Sequence, residues 1–253
     1  MRFLLKLFGE ESAMGRFLNR LYVVTVSNLL FVLFSVPVVT IGAGISALDY
    51  TLLKLQRGDK HFKVSATFWK GFKESFKKAT VCFVALVLLE ALQLLEIGWC
   101  RQFQGPVALF RYPLIGMMIL EGIVAMYLFP VIAAFNGPLK ELLRDALFFA
   151  FSRPLRMLAC LMLHAAPILG TYWYFQYLPL WAFLWLMFGF SIIAYACTRI
   201  MLPQFIPFLP EVDICGDIIK PGQEDDPNIV SGEDDSGDDF DEKTLHEMMK
   251  YGL

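Results

Sequence analysis

KVSATFWKGFKESFKKATVCFVALVLLEALQLLEIGW, residues 63–99, holds both halves of the pattern that decides the fold. Its first sixteen residues place five lysines among Phe68, Trp69, Phe72 and Phe76. From Ala79 to Trp99 there is no basic residue, and the only acids are Glu90 and Glu96. A helix needs about twenty apolar residues to cross a hydrocarbon layer about 30 Å thick. The second half therefore reads as a membrane span, and the first as a basic amphipathic helix on the cytoplasmic face.

Three further stretches, Val107–Phe135, Leu155–Phe175 and Leu178–Leu202, are long and apolar enough to span. The region from Phe17 to Leu55 is apolar throughout, but Pro37, Gly42 and Gly44 interrupt it. Proline removes a helical donor and clashes one turn back, so a break is predicted near Ser35–Pro37. It divides the region into Phe17–Ser35 and Ile41–Leu55, the second carrying Asp49 and Lys54.

Loop charge chooses between one span and two. Lys54–Lys78 contains eight Lys and Arg, and the first twenty residues contain Arg2, Lys6, Arg16 and Arg20. A helical hairpin keeps both basic segments in the cytoplasm, as basic loops prefer. It leaves only Arg101 and Arg111 outside. The fold class is thus an all-α, polytopic transmembrane bundle of six spans, five being the alternative, with both termini cytoplasmic. A second amphipathic helix precedes the span at Leu155, where Leu143, Leu147 and Phe151 repeat the spacing of Phe68, Phe72 and Phe76. This echo reads either as an internal repeat or as what any membrane-proximal helix shows.

Residues 1–16 form an N-terminal cytoplasmic segment, 17–210 the membrane domain and 211–253 an acidic tail. The stretch Phe3–Phe8 is interrupted by Lys6 and closed by Glu10 and Glu11, unlike a cleaved secretory signal. The tail has fourteen acids against three lysines and few large apolar residues, so it is expected to be disordered. Its last part, Asp241–Tyr251, could form a short helix presenting Leu245, Met248 and Met249. Such an acidic tail argues against a nucleic-acid partner, whereas basic loops suit anionic lipid headgroups.

Charged groups in hydrocarbon are expensive, which makes Glu90, Glu121 and His164 the candidate intramembrane polar site. All three approach the midplane on different helices. If they converge, they could relay protons or hold a polar solute. The structural alternative is a carboxyl group that hydrogen-bonds a backbone carbonyl or Gln93 and holds helices together. Lys63, Lys70, Lys73, Lys77, Lys78 and Trp69 are the candidate lipid contacts, with rings among acyl chains and ammonium groups at headgroups. Glu96 is placed to pair with Arg101 or Arg111, Asn28 to bridge helices, and Asp49 to cap or hydrogen-bond within the broken hairpin.

Cys82, Cys100, Cys160, Cys197 and Cys215 lack CxxC spacing, and neither a disulfide framework nor a zinc site is expected. No phosphate loop, HExxH helix or GxSxG elbow occurs, and the acidic run Glu233–Glu242 lacks calcium-loop spacing. No cofactor, metal or catalytic residue is expected.

Asn28 through Ala47, with Ser35-Val36-Pro37-Val38-Val39-Thr40-Ile41-Gly42, and Thr67 through Ala79 resemble the YesL-type family of bacterial membrane proteins. Phe129–Phe135 and Leu139–Leu147 fit the same family, so the resemblance covers roughly residues 12–205. Glu74-Ser75 departs from its pattern, and the acidic tail lies outside it. The family is a domain of unknown function and carries no catalytic or ligand residues over. The resemblance implies an accessory role beside bacterial carbohydrate uptake. The expected function is a non-enzymatic accessory or assembly factor of a transport system, with a transporter complex or another membrane protein as partner. A small proton-coupled transporter or channel using the midplane acids and histidine is the alternative.

Overall fold

A computed structural model describes residues 13–57, 62–103 and 109–209, all within the first of the chain's two units, 1–222. His61, Cys215, the acidic tail and the short helix expected at its end lie outside the described residues. Every described element is helical. Six helices are long and apolar enough to cross a membrane, which agrees with the expected count.

Helix α1, Ala13–Phe34, ends where Ser35, Val36 and Pro37 turn the chain into a short 3-10 segment, Val38–Thr40. The Thr40 hydroxyl closes this turn by donating to the Phe34 and Pro37 carbonyls. Helix α2, Ile41–Gln56, then runs through the densest packing, with twelve residues buried from Gly42 to Lys54. Its neighbour α3, Val64–Cys100, is one continuous helix of 37 residues, roughly 55 Å at about 1.5 Å per residue.

That continuity corrects the expected separation of an amphipathic helix from the span behind it. Residues 64–100 contain no proline, and Lys77 and Lys78 are good helix formers, so nothing local breaks the ladder. The faces differ too. Phe68 and Phe72 are buried, while Trp69 and Phe76 remain exposed. Phe34 packs among Phe68, Trp69 and Phe72 at ring-centroid distances of 5.8, 5.4 and 5.1 Å. Two rings assigned to acyl chains therefore belong to the protein core.

Two glycines set the register between α2 and α3. A Cβ on Gly42 would stand 2.5 Å from both the Ala79 carbonyl oxygen and the Phe83 Cβ. One on Gly71 would stand 2.8 Å from the Tyr50 ring. The helices are thus antiparallel, and α2 lies along residues 64–83, the basic half of α3.

Helix α4, Arg111–Ala134, returns antiparallel to the apolar half of α3 and is buried from Tyr127 to Ala134. Helix α5, Leu139–Ser152, buries Leu142, Ala146, Phe149 and Ala150 and exposes Leu143, Leu147, Phe148 and Phe151. The proposed echo fails at this register: Phe68 and Phe72 face the core, whereas Leu143, Leu147 and Phe151 face away. Helix α6, Pro154–Trp173, opens on a proline, which suits a first-turn position. Helices α7, Leu178–Leu184, and α8, Phe190–Phe205, are joined by a π-helical turn, Trp185–Gly189. The largest fully buried side chains are Tyr50, Tyr127, Phe68 and Phe205. The apolar half of α3, most of α6 and all of α7 present exposed apolar side chains, as lipid-facing helices do.

Candidate intramembrane polar site

The polar residues of the apolar helices separate into distinct groups. On α3 and α4, the buried Gln93 donates its Nε2–H to Oε1 of Glu121 through a short hydrogen bond. The Gln93 Oε1 and the Glu121 Oε2 are buried there without a further partner. Glu90 lies three residues before Gln93, on the same face of α3, and is half-buried. Glu96 is exposed and makes no ion pair with Arg101 or Arg111 among the described residues, contrary to expectation.

His164 belongs to a different pair of helices. Its Nδ1 lies 2.9 Å from the Cys160 carbonyl oxygen, one turn back on α6. A carbonyl only accepts, so Nδ1 is the donor in that bond. The Cys197 sulfur of α8 lies 3.6 Å from the same nitrogen. No hydrogen bond among the described residues joins this group to Glu121 and Gln93. Helix packing, α3 with α4 and α6 with α8, keeps the histidine and the acid in separate seams.

Asn28 makes the best-satisfied polar contact. Fully buried on α1, it donates to the carbonyls of Trp185 at 3.1 Å and Leu186 at 2.7 Å. Its Oδ1 accepts the Ser191 N–H at 2.9 Å. A π turn shifts the backbone ladder, and these bonds supply partners where it does. Asn28 thus bridges helices as expected. Asp49 is 4% exposed on α2, and among the described residues it makes no hydrogen bond of the kind expected within the hairpin. Gln56 ties α2 to α8 by donating to the Tyr195 carbonyl and the Thr198 hydroxyl, both at 2.8 Å.

The basic face is simpler. Lys63, just before α3, and Lys70, Lys73 and Lys77 on its first half are exposed, and Lys78 is half-buried. The Lys73 Nζ lies 5.1 Å from the centre of the Trp69 ring, which itself stacks on Phe72. Cys82, Cys100, Cys160 and Cys197 are buried free thiols. Among the described residues, no three His, Cys, Asp or Glu are grouped to hold a metal ion.

Sequence reading passed over one polar neighbourhood. Tyr127, seven residues inside the end of α4, and Gln204 and Arg156, near the ends of α8 and α6, each looked like an ordinary residue of its helix. No spacing rule links positions so far apart in the chain.

A bundle with six such helices, its buried polar side chains lying in the seams between them, is a polytopic helical membrane protein. Residues 24–97 match the family described as "Protein of unknown function, DUF624". The chain is also similar to "Uncharacterized protein YesL" of Bacillus subtilis (strain 168), with 24% identity over 147 residues. That likeness covers 57% of this chain and 68% of the relative. Together the two matches support assignment to the YesL-type family, whose function is unknown. No solved structure matches the chain.

Proposed function

We propose that the protein is a non-enzymatic membrane accessory factor that binds a transport assembly, and that α5 supplies the contact. The observation that carries this reading is the exposed apolar face of α5, formed by Leu143, Leu147, Phe148 and Phe151. Its opposite face is fixed in the core by Leu142, Ala146 and Phe149. A short helix held this firmly offers a preorganised groove filler or ridge, which lowers the ordering cost of association. Polar residues in separate seams fit an accessory role better than a conducting one. The carbohydrate-uptake setting is the finer form of the proposal and rests on the resemblance alone.

A photocrosslinking residue at Phe148 in intact cells tests it. Protein adducts with components of a membrane transport system are expected there, and not from the same residue at Leu95 on the exposed side of α3. Adducts to lipid alone at Phe148 would overturn the reading.

A second reading, a small proton-coupled transporter or channel, draws on Glu121 and its half-buried neighbour Glu90. It requires proton movement in reconstituted vesicles that Glu90→Gln and Glu121→Gln abolish. Under the accessory reading, vesicles show no solute-dependent proton movement with or without these changes.

A further inference from the structure

Two helices measure the bilayer independently, and both carry basic side chains at one end and aromatic rings at the other. On α3 the stretch without a basic residue, Ala79 to Trp99, rises about 30 Å at about 1.5 Å per residue. The twenty residues of α6, Pro154–Trp173, cover about the same length. Both match a hydrocarbon layer about 30 Å thick. Lys77 and Lys78 come just before the first stretch, and Arg153 just before the second. At the far ends stand Trp99, edge-on to Phe103, and the exposed Tyr172 and Trp173. Such rings settle at the membrane–water interface. Helix α4 brings the chain back from the far end of α3, and α5 joins it to the start of α6. The two basic ends therefore belong to the same side.

The continuity of α3 grades its lysines by height. An unbroken helix that crosses the bilayer does not also lie along its surface. Counted outward from Ala79, Lys78 and Lys77 stand about 2–3 Å beyond the hydrocarbon, and Lys73 about 9 Å. Lys70 stands about 14 Å out, and a helical rise carried on to Lys63 would put it at about 24 Å. The headgroup layer is only about 5–8 Å deep on each side. Lys73 turns its ammonium group over the Trp69 ring, 5.1 Å from its centre.

Charge at that height is not cancelled within the chain. Residues 63–83 hold five lysines and a single acid, Glu74. Lys77 and Arg153 are exposed and Lys78 is half-buried. Among the described residues none of the three makes an ion pair. Their guanidinium and ammonium groups only donate hydrogen bonds, so what they accept is an anion. Arginine grips two phosphate oxygens at once, and lysine acts as a point charge. The anion is a lipid headgroup because both helices enter the bilayer within two residues of these side chains.

We propose that Lys77, Lys78 and Arg153 form a two-point clasp for anionic phospholipid headgroups in one leaflet, and that Lys63 and Lys70 stand clear of it. The clasp narrows the wider set of lysines that composition offers to lipid, and adds an arginine from a second helix. It does not depend on the accessory role of α5.

The test uses the full chain in neutral detergent, doped with dioleoyl phosphatidylglycerol or dioleoyl phosphatidylcholine. Native mass spectrometry counts the lipid retained. Phosphatidylglycerol should be retained in preference to phosphatidylcholine. One basic residue near an anionic surface strengthens attachment about fivefold. Lys77→Gln with Lys78→Gln should therefore weaken phosphatidylglycerol binding at least tenfold, and Arg153→Gln about fivefold. Lys77→Arg with Lys78→Arg keeps the charge and should bind as the unaltered chain does. Lys63→Gln with Lys70→Gln should change binding less than twofold. Unchanged melting temperatures would show that each variant is folded. Equal retention of the two lipids, or no loss on replacing Lys77, Lys78 and Arg153, overturns the proposal. So does an equal loss on replacing Lys63 and Lys70, which would lay the basic half of α3 along the surface. Displacement of phosphatidylglycerol by a polyglutamate peptide would assign these residues to an acidic protein, and also overturns it.

Discussion

Asn28 shows what one polar side chain does when water is absent. It fixes two carbonyls and one N–H of the segment 185–191, and none of the three has water as a substitute. Asn28→Ala should therefore cost about 2 kcal/mol, within the range for buried groups left unpaired. A fall in the melting temperature of the detergent-purified chain checks this, and an unchanged value would show that the π turn satisfies itself. Gln93 and Glu121 offer the complementary case. Gln93→Leu or Glu121→Leu alone strands a buried partner and should destabilise by about 1–3 kcal/mol. The double replacement should recover most of that loss, because it leaves no orphan. A double-mutant cycle measured by thermal unfolding decides it, and additive losses would count against the pair. The sequence marked Glu121 as costly and named Gln93 as a partner, but periodicity alone left His164 free to join them. It does not, because its seam is formed by other helices.

Elements follow from local rules until two of them touch. The break after Phe34 was legible in Pro37, and the start of α6 in Pro154. The length of α3 was missed, because composition suggested a division at Lys78, whereas no proline interrupts the ladder between Val64 and Cys100. What composition could not supply is the role of Gly42 and Gly71, which permit α2 to lie against α3. Gly42→Val and Gly71→Val should each cost about 1–3 kcal/mol by overpacking, with the larger loss at Gly42, where backbone is the obstacle. The measurement is again a melting temperature. As a control, Gly98→Ala, where nothing lies within 4 Å of the added Cβ, should hold or rise.

At the scale of the molecule, length and composition qualify α2 as a span, while its partner fixes its depth. It runs beside residues 64–83, so a hydrocarbon slab covering α2 would also cover Lys70, Lys73 and Lys77. Each lysine near the bilayer centre costs about 2.5–3.5 kcal/mol. A slab covering residues 84–100 instead leaves the α1–α2 turn at its near edge. Cysteine at the exposed Val39, on a cysteine-free background, should then react with an impermeant maleimide from the same side as cysteine at Lys77. Cysteine at Gln102 should react from the opposite side. Reaction of position 39 from the side of position 102 would mean that α2 crosses in full.

The chain alone determined that its helices enter a bilayer, because apolar stretches of about twenty residues with few charges are cheaper in lipid than in water. It also determined where most of them begin and end, since proline and charge act within a few residues of themselves. Tertiary structure decided which polar side chains meet. Gln93 found Glu121, and His164 found Cys160 and Cys197, because hydrogen bonding acts across about 3 Å of space whatever the distance along the chain.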